Sequence, residues 1–154
     1  MIKDRRAQAQ FISYDSLSID REYNNDKTGH GLYHLTDIDG ILQFTNSKSH
    51  KLKPEFNQAV LIYEFKRESA HIPTGQKILL ESLANAVQNS GGFALVCVAR
   101  HNVYNPDIDV DGGSGIVTEY FYDGQWRTCK PMTAIEFTDL FMIGAGLKKD
   151  KGVE

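Results

Sequence analysis

Residues 59–99 read AVLIYEFKRESAHIPTGQKILLESLANAVQNSGGFALVCVA, and this stretch decides the fold. It opens with Ala59 to Lys66, apolar at first on both faces, and closes with FALVCVA, a continuous apolar run with the length and β-branched content of a buried strand. Between them Leu79, Leu80, Leu83 and Val87 recur at helical spacing. Pro73-Thr74-Gly75 open that segment, and Gly91-Gly92 can close it in the left-handed conformation that glycine tolerates. The spacing predicts a helix of about fifteen residues. A strand, a helix and a second buried strand make the crossover unit of a parallel strand pair, because parallel neighbours need a long connection.

Upstream, Leu35 to Phe44 reads LTDIDGILQF, a strand with a break expected at Gly40. It is joined to Ala59–Lys66 by SKSHKLKPEFN, a polar, basic hairpin connection. Downstream, Ile116 to Tyr122 and Gln125 to Cys129 flank Asp123-Gly124, a strong two-residue hairpin signal. A last helix is expected to start at Thr133 with a capping box to Glu136, to turn Leu140 and Phe141 inward, and to stop at Gly144. The order predicts an α/β domain, a mixed central sheet flanked by helices. At 154 residues it is expected to be one domain, with a core over about 35–143, a helical or irregular region 1–34 and a fraying basic tail 147–154.

Composition agrees with an ordinary globular chain, at 41% hydrophobic and 24% charged residues. Seventeen Lys and Arg against twenty Asp and Glu leave −3, so bulk charge does not attach this chain to nucleic acid and any polyanion site must be local. Cys97 and Cys129 have neither CxxC spacing nor zinc-like histidine partners, which argues against a disulfide framework or zinc knuckle. The opening MIKDRRAQAQFIS lacks a secretory apolar segment, and no run approaches the ~20 residues of a membrane helix, so a reducing cytoplasm and no membrane partner are expected.

The charges within Ala59–Lys66 carry the chemistry. Strand side chains alternate, so Val60, Ile62, Glu64 and Lys66 share one face, and Leu61, Tyr63 and Phe65 the other. A carboxylate and an ammonium at the buried end of a strand cost several kcal/mol to desolvate unless paired or metal-bound. Asp37 and Asp39, two apart in the preceding strand, can converge on Glu64 if the strands pair. Carboxylates beside an ammonium suit a hard divalent cation, which takes oxygen ligands and keeps waters for a phosphate. The plainer alternatives are a structural ion pair and an Asp-x-Asp turn.

Together, TDIDG at Thr36–Gly40, VLIYEFKR at Val60–Arg67, GQK at Gly75–Lys77 and the buried strand ending in Arg100-His101 resemble the PD-(D/E)XK nuclease superfamily over Leu35 to Asn102. The resemblance implies a restriction-endonuclease-like core of the small phage or prophage type, hydrolysing DNA phosphodiesters with Mg²⁺, or Mn²⁺ as substitute. It implies Glu64 with Asp39 or Asp37 as metal ligands, the Phe65 carbonyl as a further ligand, Lys66 as the catalytic lysine that orients the water, and Gln76 ordering the site. Thr36-Asp37 stands where the family has Pro-Asp, and Asp39, beside the Gly40 bend, is the favoured ligand. Asp20 or Glu22 could complete the set.

Local cations to draw in phosphates are Lys48, Lys51, Lys53, Arg67, Lys77 and Arg100. One site cuts one strand, so duplex cleavage would favour a homodimer. The rival reading is a nuclease-fold protein without activity that binds or inhibits a nucleic-acid-processing partner. Asp107, Asp109, Asp111 and Gly112 copy the start of a calcium loop, but Thr118 stands where the loop needs Glu, so a turn-rich loop is expected. His101 is expected to cap its strand end, and Cys97 to behave as a small buried hydrophobe.

Overall fold

A long strand buried on both faces organises the molecule, and the computed structural model describes it within residues 38–105 and 107–150. β1 (Gly40–Thr45), β2 (Gln58–Arg67), α1 (Thr74–Asn89), β3 (Phe93–His101), β4 (Ile116–Tyr122), β5 (Gln125–Thr133) and α2 (Ala134–Ala145) follow in chain order. The sheet order is β1-β2-β3-β4-β5. β2 and β3 run parallel, and the other three pairings are antiparallel. This is the expected mixed sheet, with α1 as the crossover of its parallel pair. The described residues fall in one compact unit.

The two faces of β2 feed two cores. Val60 and Ile62 pack with Ala94, Val96 and Phe121 and with Leu80 and Ala84 of α1. Ala59 and Leu61 pack with Leu95, Cys97 and Val117 and with Phe137 and Phe141 of α2. One helix on each face of a sheet is a stable layering because each helix buries an apolar stripe against an apolar sheet surface. β3 is buried from Ala94 to Ala99, as its unbroken apolar sequence requires.

The turn chemistry also follows the sequence. Asp123 and Gly124 both hold positive φ, 50° and 75°, which joins β4 to β5 with the twist hairpins prefer. Thr133 caps α2, its side chain accepting from the Glu136 N–H while the Glu136 carboxylate accepts from the Thr133 N–H. Pro131 lies in β5, an edge strand, where a missing N–H is tolerated.

Four expectations need correction. Gly40 opens β1 rather than interrupting a strand, and the part of that strand placed at 35–37 lies outside the described residues, as do residues 1–34. β5 continues past Cys129 to Thr133 because its antiparallel pairing with β4 resumes beyond an irregularity. α2 passes through Gly144 and ends where Gly146 adopts φ 92°. Leu140 is 53% exposed, and Phe137, one turn before Phe141, takes the inward position. Among the described residues no helix is long and apolar enough to cross a membrane.

Candidate functional site

Glu64 continues the face set by Val60 and Ile62, so strand alternation carries it into the α1 side of the sheet with 1% of its side chain exposed. Lys66, two residues on, meets it there: its Nζ lies 2.8 Å from Glu64 Oε1. The same ammonium donates to Gln76 Oε1 at 3.1 Å. Gln76 sits in the first turn of α1, four residues before Leu80 and eight before Ala84, so the stripe that packs the helix on the sheet also aims Gln76 at Lys66. Three of the residues expected at the site are thereby brought together.

Asp39 arrives from the neighbouring strand. Gly40 pairs with Tyr63, so the antiparallel register places Asp39 beside Glu64. Its Oδ2 accepts from the Phe65 N–H at 2.7 Å, which satisfies a backbone donor of β2 at the point where β1 begins. The Phe65 ring points to the opposite face and stacks on Tyr63 at 5.9 Å with a 2° interplanar angle. Asp37, Asp20 and Glu22 lie outside the described residues.

The carboxylates here are those of Glu64 and Asp39, and the Phe65 carbonyl is the further oxygen that the resemblance implies. Among the described residues no group of three or more His, Cys, Asp or Glu side chains is assembled for a metal. Mg²⁺ commonly binds through one or two carboxylates and completes its shell with water and substrate phosphate, so this hard, oxygen-only donor set fits that ion and not a soft one. Glu64 is buried, and the Asp39 carboxylate is bonded to the backbone of the next residue along the same strand.

The six cations scatter. Lys48, Lys51 and Lys53 lie on the connection from Thr45 to Gln58, at the opposite end of β2 from Glu64. Six strand residues at ~3.3 Å each separate the ends by about 20 Å. The structure therefore does not bring this basic cluster to the site. Arg67 and Lys77 stand at the carboxylate end, Arg67 over the Tyr104 ring at 5.5 Å and Lys77 over the Trp126 ring at 5.1 Å. Arg100, opposite Lys66 in the register, donates to the Glu68 and Ala70 carbonyls at 2.6 and 2.7 Å and to Glu119 Oε1 at 3.2 Å.

Glu119 is a participant that the sequence reading passed over. It lies two residues before Phe121, which packs on the α1 face, but two after Val117, which packs on the α2 face; the irregularity between Val117 and Glu119 brings it to the side of Glu64, and alternation read from the sequence does not show it. The His101 ring caps its own strand end, accepting from the Val103 N–H at 3.2 Å. At the end of the acidic loop Asp111 caps a single 3₁₀ turn, Gly112–Ser114, its carboxylate accepting from the Gly113 N–H at 3.2 Å. Tyr104 donates to Glu68 at 2.8 Å, and this bond to a carboxylate raises the phenol above its ordinary value. In comparisons with known proteins, no family model, no curated protein and no solved structure matches this chain.

Proposed function

We propose that this protein is a metal-dependent nuclease of the PD-(D/E)XK kind, hydrolysing phosphodiester bonds of DNA. The observation that carries the reading is the Glu64–Lys66–Gln76 constellation, a buried carboxylate and an ammonium held between two oxygen acceptors at the carboxyl end of a parallel strand pair. The order β1-β2-α1-β3 accords with a restriction-endonuclease-like core, and crevices at the carboxyl ends of strands are common ligand sites in α/β sheets.

An ammonium has three N–H donors. Two are directed to Glu64 and Gln76, which fixes the head group so that the third orients the attacking water. Hydrolysis adds that water across a P–O bond: its oxygen joins phosphorus and its proton ends on the departing oxygen. Glu64 and Asp39, with the Phe65 carbonyl, would hold Mg²⁺ or Mn²⁺, which when bound lowers the pKa of water and stabilises the leaving oxygen. Arg67 and Lys77, at the same end of the strands, supply positive charge for the phosphates flanking the cut.

The test is incubation with labelled single-stranded, double-stranded and branched DNA in Mg²⁺, Mn²⁺ or EDTA, beside Glu64→Gln and Lys66→Ala. Metal-dependent cutting lost in both variants is the expected result. No cutting of any DNA together with no Mn²⁺ binding would overturn it, and the fold would then serve as a binding scaffold.

A further inference from the structure

We infer that Arg100 is a positioning residue for the Lys66–Gln76 pair rather than a contact for DNA phosphate; the catalytic part of this inference rests on the nuclease reading above. Lys66 and Gln76 belong to different elements, and the chain between them leaves β2 after Arg67 and enters α1 at Thr74. Their 3.1 Å hydrogen bond depends on the height of the start of α1 over the end of β2, which the packed stripe of α1 and that short connection set together.

Arg100 grips that connection from β3. Its Nη1 donates to two backbone carbonyls of the connection, Glu68 and Ala70, at 2.6 and 2.7 Å, and its Nη2 donates to Glu119 Oε1 at 3.2 Å. The connection is also tied by the Glu68 N–H to the His101 carbonyl at 2.8 Å and by the Ala70 N–H to the Arg67 carbonyl at 2.7 Å. A planar guanidinium presents its donors in a fixed fork, so one side chain can set the spacing of several acceptors at once. Glu119 sits on the strand beyond, across Val98 from Glu64, and anchors the fork to β4. The guanidinium is thus directed inward to three oxygens while only 24% of its side chain is exposed, an arrangement suited to bracing backbone.

The test compares wild type with Arg100→Lys, Arg100→Gln and Glu119→Gln, in two readouts. The first is amide hydrogen exchange, which needs no activity. Protection at Ala70 and at Lys77, whose N–H bonds to the Pro73 carbonyl, should fall tenfold or more in Arg100→Gln, less in Glu119→Gln, while Val96 in the buried core stays protected. The second is steady-state cleavage of labelled DNA in Mn²⁺. A brace predicts that kcat falls tenfold or more with KM and its salt slope unchanged, and that Arg100→Lys is nearly as impaired as Arg100→Gln because it loses the fork.

A phosphate contact predicts the reverse: KM rises, kcat holds, Arg100→Lys retains most binding, and the salt slope flattens by about one counterion. That pattern, or unchanged exchange at Ala70 and Lys77, overturns the inference. If the wild-type protein neither cuts DNA nor binds Mn²⁺, the nuclease reading fails alone and exchange still decides whether Arg100 holds the connection.

Discussion

The Lys66 ammonium lies 2.8 Å from a carboxylate oxygen of Glu64 on a face of β2 where Glu64 is 1% exposed. Removing one partner of such a pair leaves the other as a buried charge, which costs far more than removing both. Lys66→Ala should therefore lower the unfolding free energy by about 3 kcal/mol. The double variant Glu64→Gln/Lys66→Ala should recover most of that loss, since no charge is then stranded. Urea unfolding of the two singles and the double forms a mutant cycle. Additive losses would show that Glu64 does not depend on Lys66 for its burial.

Asp39 has two separable roles, a cap on the Phe65 N–H and a proposed metal ligand. Asp39→Asn keeps an acceptor for the N–H while losing the charge, whereas Asp39→Ala loses both. Stability should fall by about 1 kcal/mol in the alanine variant and stay near wild type in the asparagine variant. Mn²⁺ affinity, followed by calorimetric titration, should weaken at least tenfold in both. Retained Mn²⁺ binding in Asp39→Asn would restrict Asp39 to its capping role.

The basic connection between β1 and β2 is at the wrong end of the sheet to serve the carboxylates. Changing Lys48, Lys51 and Lys53 together to Gln should leave the salt dependence of DNA binding unaltered, whereas Arg67→Gln should reduce the slope by about one. Fluorescence anisotropy at several salt concentrations separates the two. A flatter slope in the triple variant would mean that DNA runs the length of β2.

Cys97 is wholly buried on the α2 face, and burial, with a smaller contribution from the Cys129 thiol, pushes its thiol up to about 12. The ordinary thiol value is about 8.5, so the fold holds this proton more tightly than the unfolded chain does. Its contribution to stability is complete below about pH 8.5 and is lost as pH climbs through the folded value. At pH 8 Cys97 should resist alkylation in the native protein and react only on unfolding, scored by peptide mass after iodoacetamide treatment. Rapid native labelling of Cys97 would contradict its placement in the core.

How much of this was legible in the chain differs by kind of feature. The faces of β2 were, because Val60 and Ile62 anchor the alternation that carries Glu64 and Lys66 inward. The Asp123-Gly124 turn and the Thr133 cap were, because both are local chemistry. The partners of the cations were not, because Arg100 meets Glu68, Ala70 and Glu119 only once register and crossover are in place. The remoteness of Lys48, Lys51 and Lys53 was available all the same: a hairpin connection leaves the amino end of its second strand, and Glu64 lies near the carboxyl end. Gly144 misled as a helix stop, since its composition signal is the same whether glycine supplies a left-handed turn or a close approach.

At Gly144 the reason is approach. A Cβ there would stand 2.9 Å from Phe93 Cζ and 3.1 Å from its Cε1. The Phe93 ring stacks on Phe141 at 5.5 Å and on Phe56 at 5.1 Å, so moving it to admit a Cβ disturbs both contacts. Gly144→Ala should gain up to about 1 kcal/mol of helix propensity and lose about 1–3 kcal/mol to overpacking. The melting temperature should fall, and Phe93→Leu should partly rescue it in the double variant. Gly75 is the control, since it also lies in a helix and a Cβ there meets nothing within 4 Å. Gly75→Ala should raise the melting temperature, and a rise in both variants would show that the α2 face around Phe93 is looser than its ring stack implies.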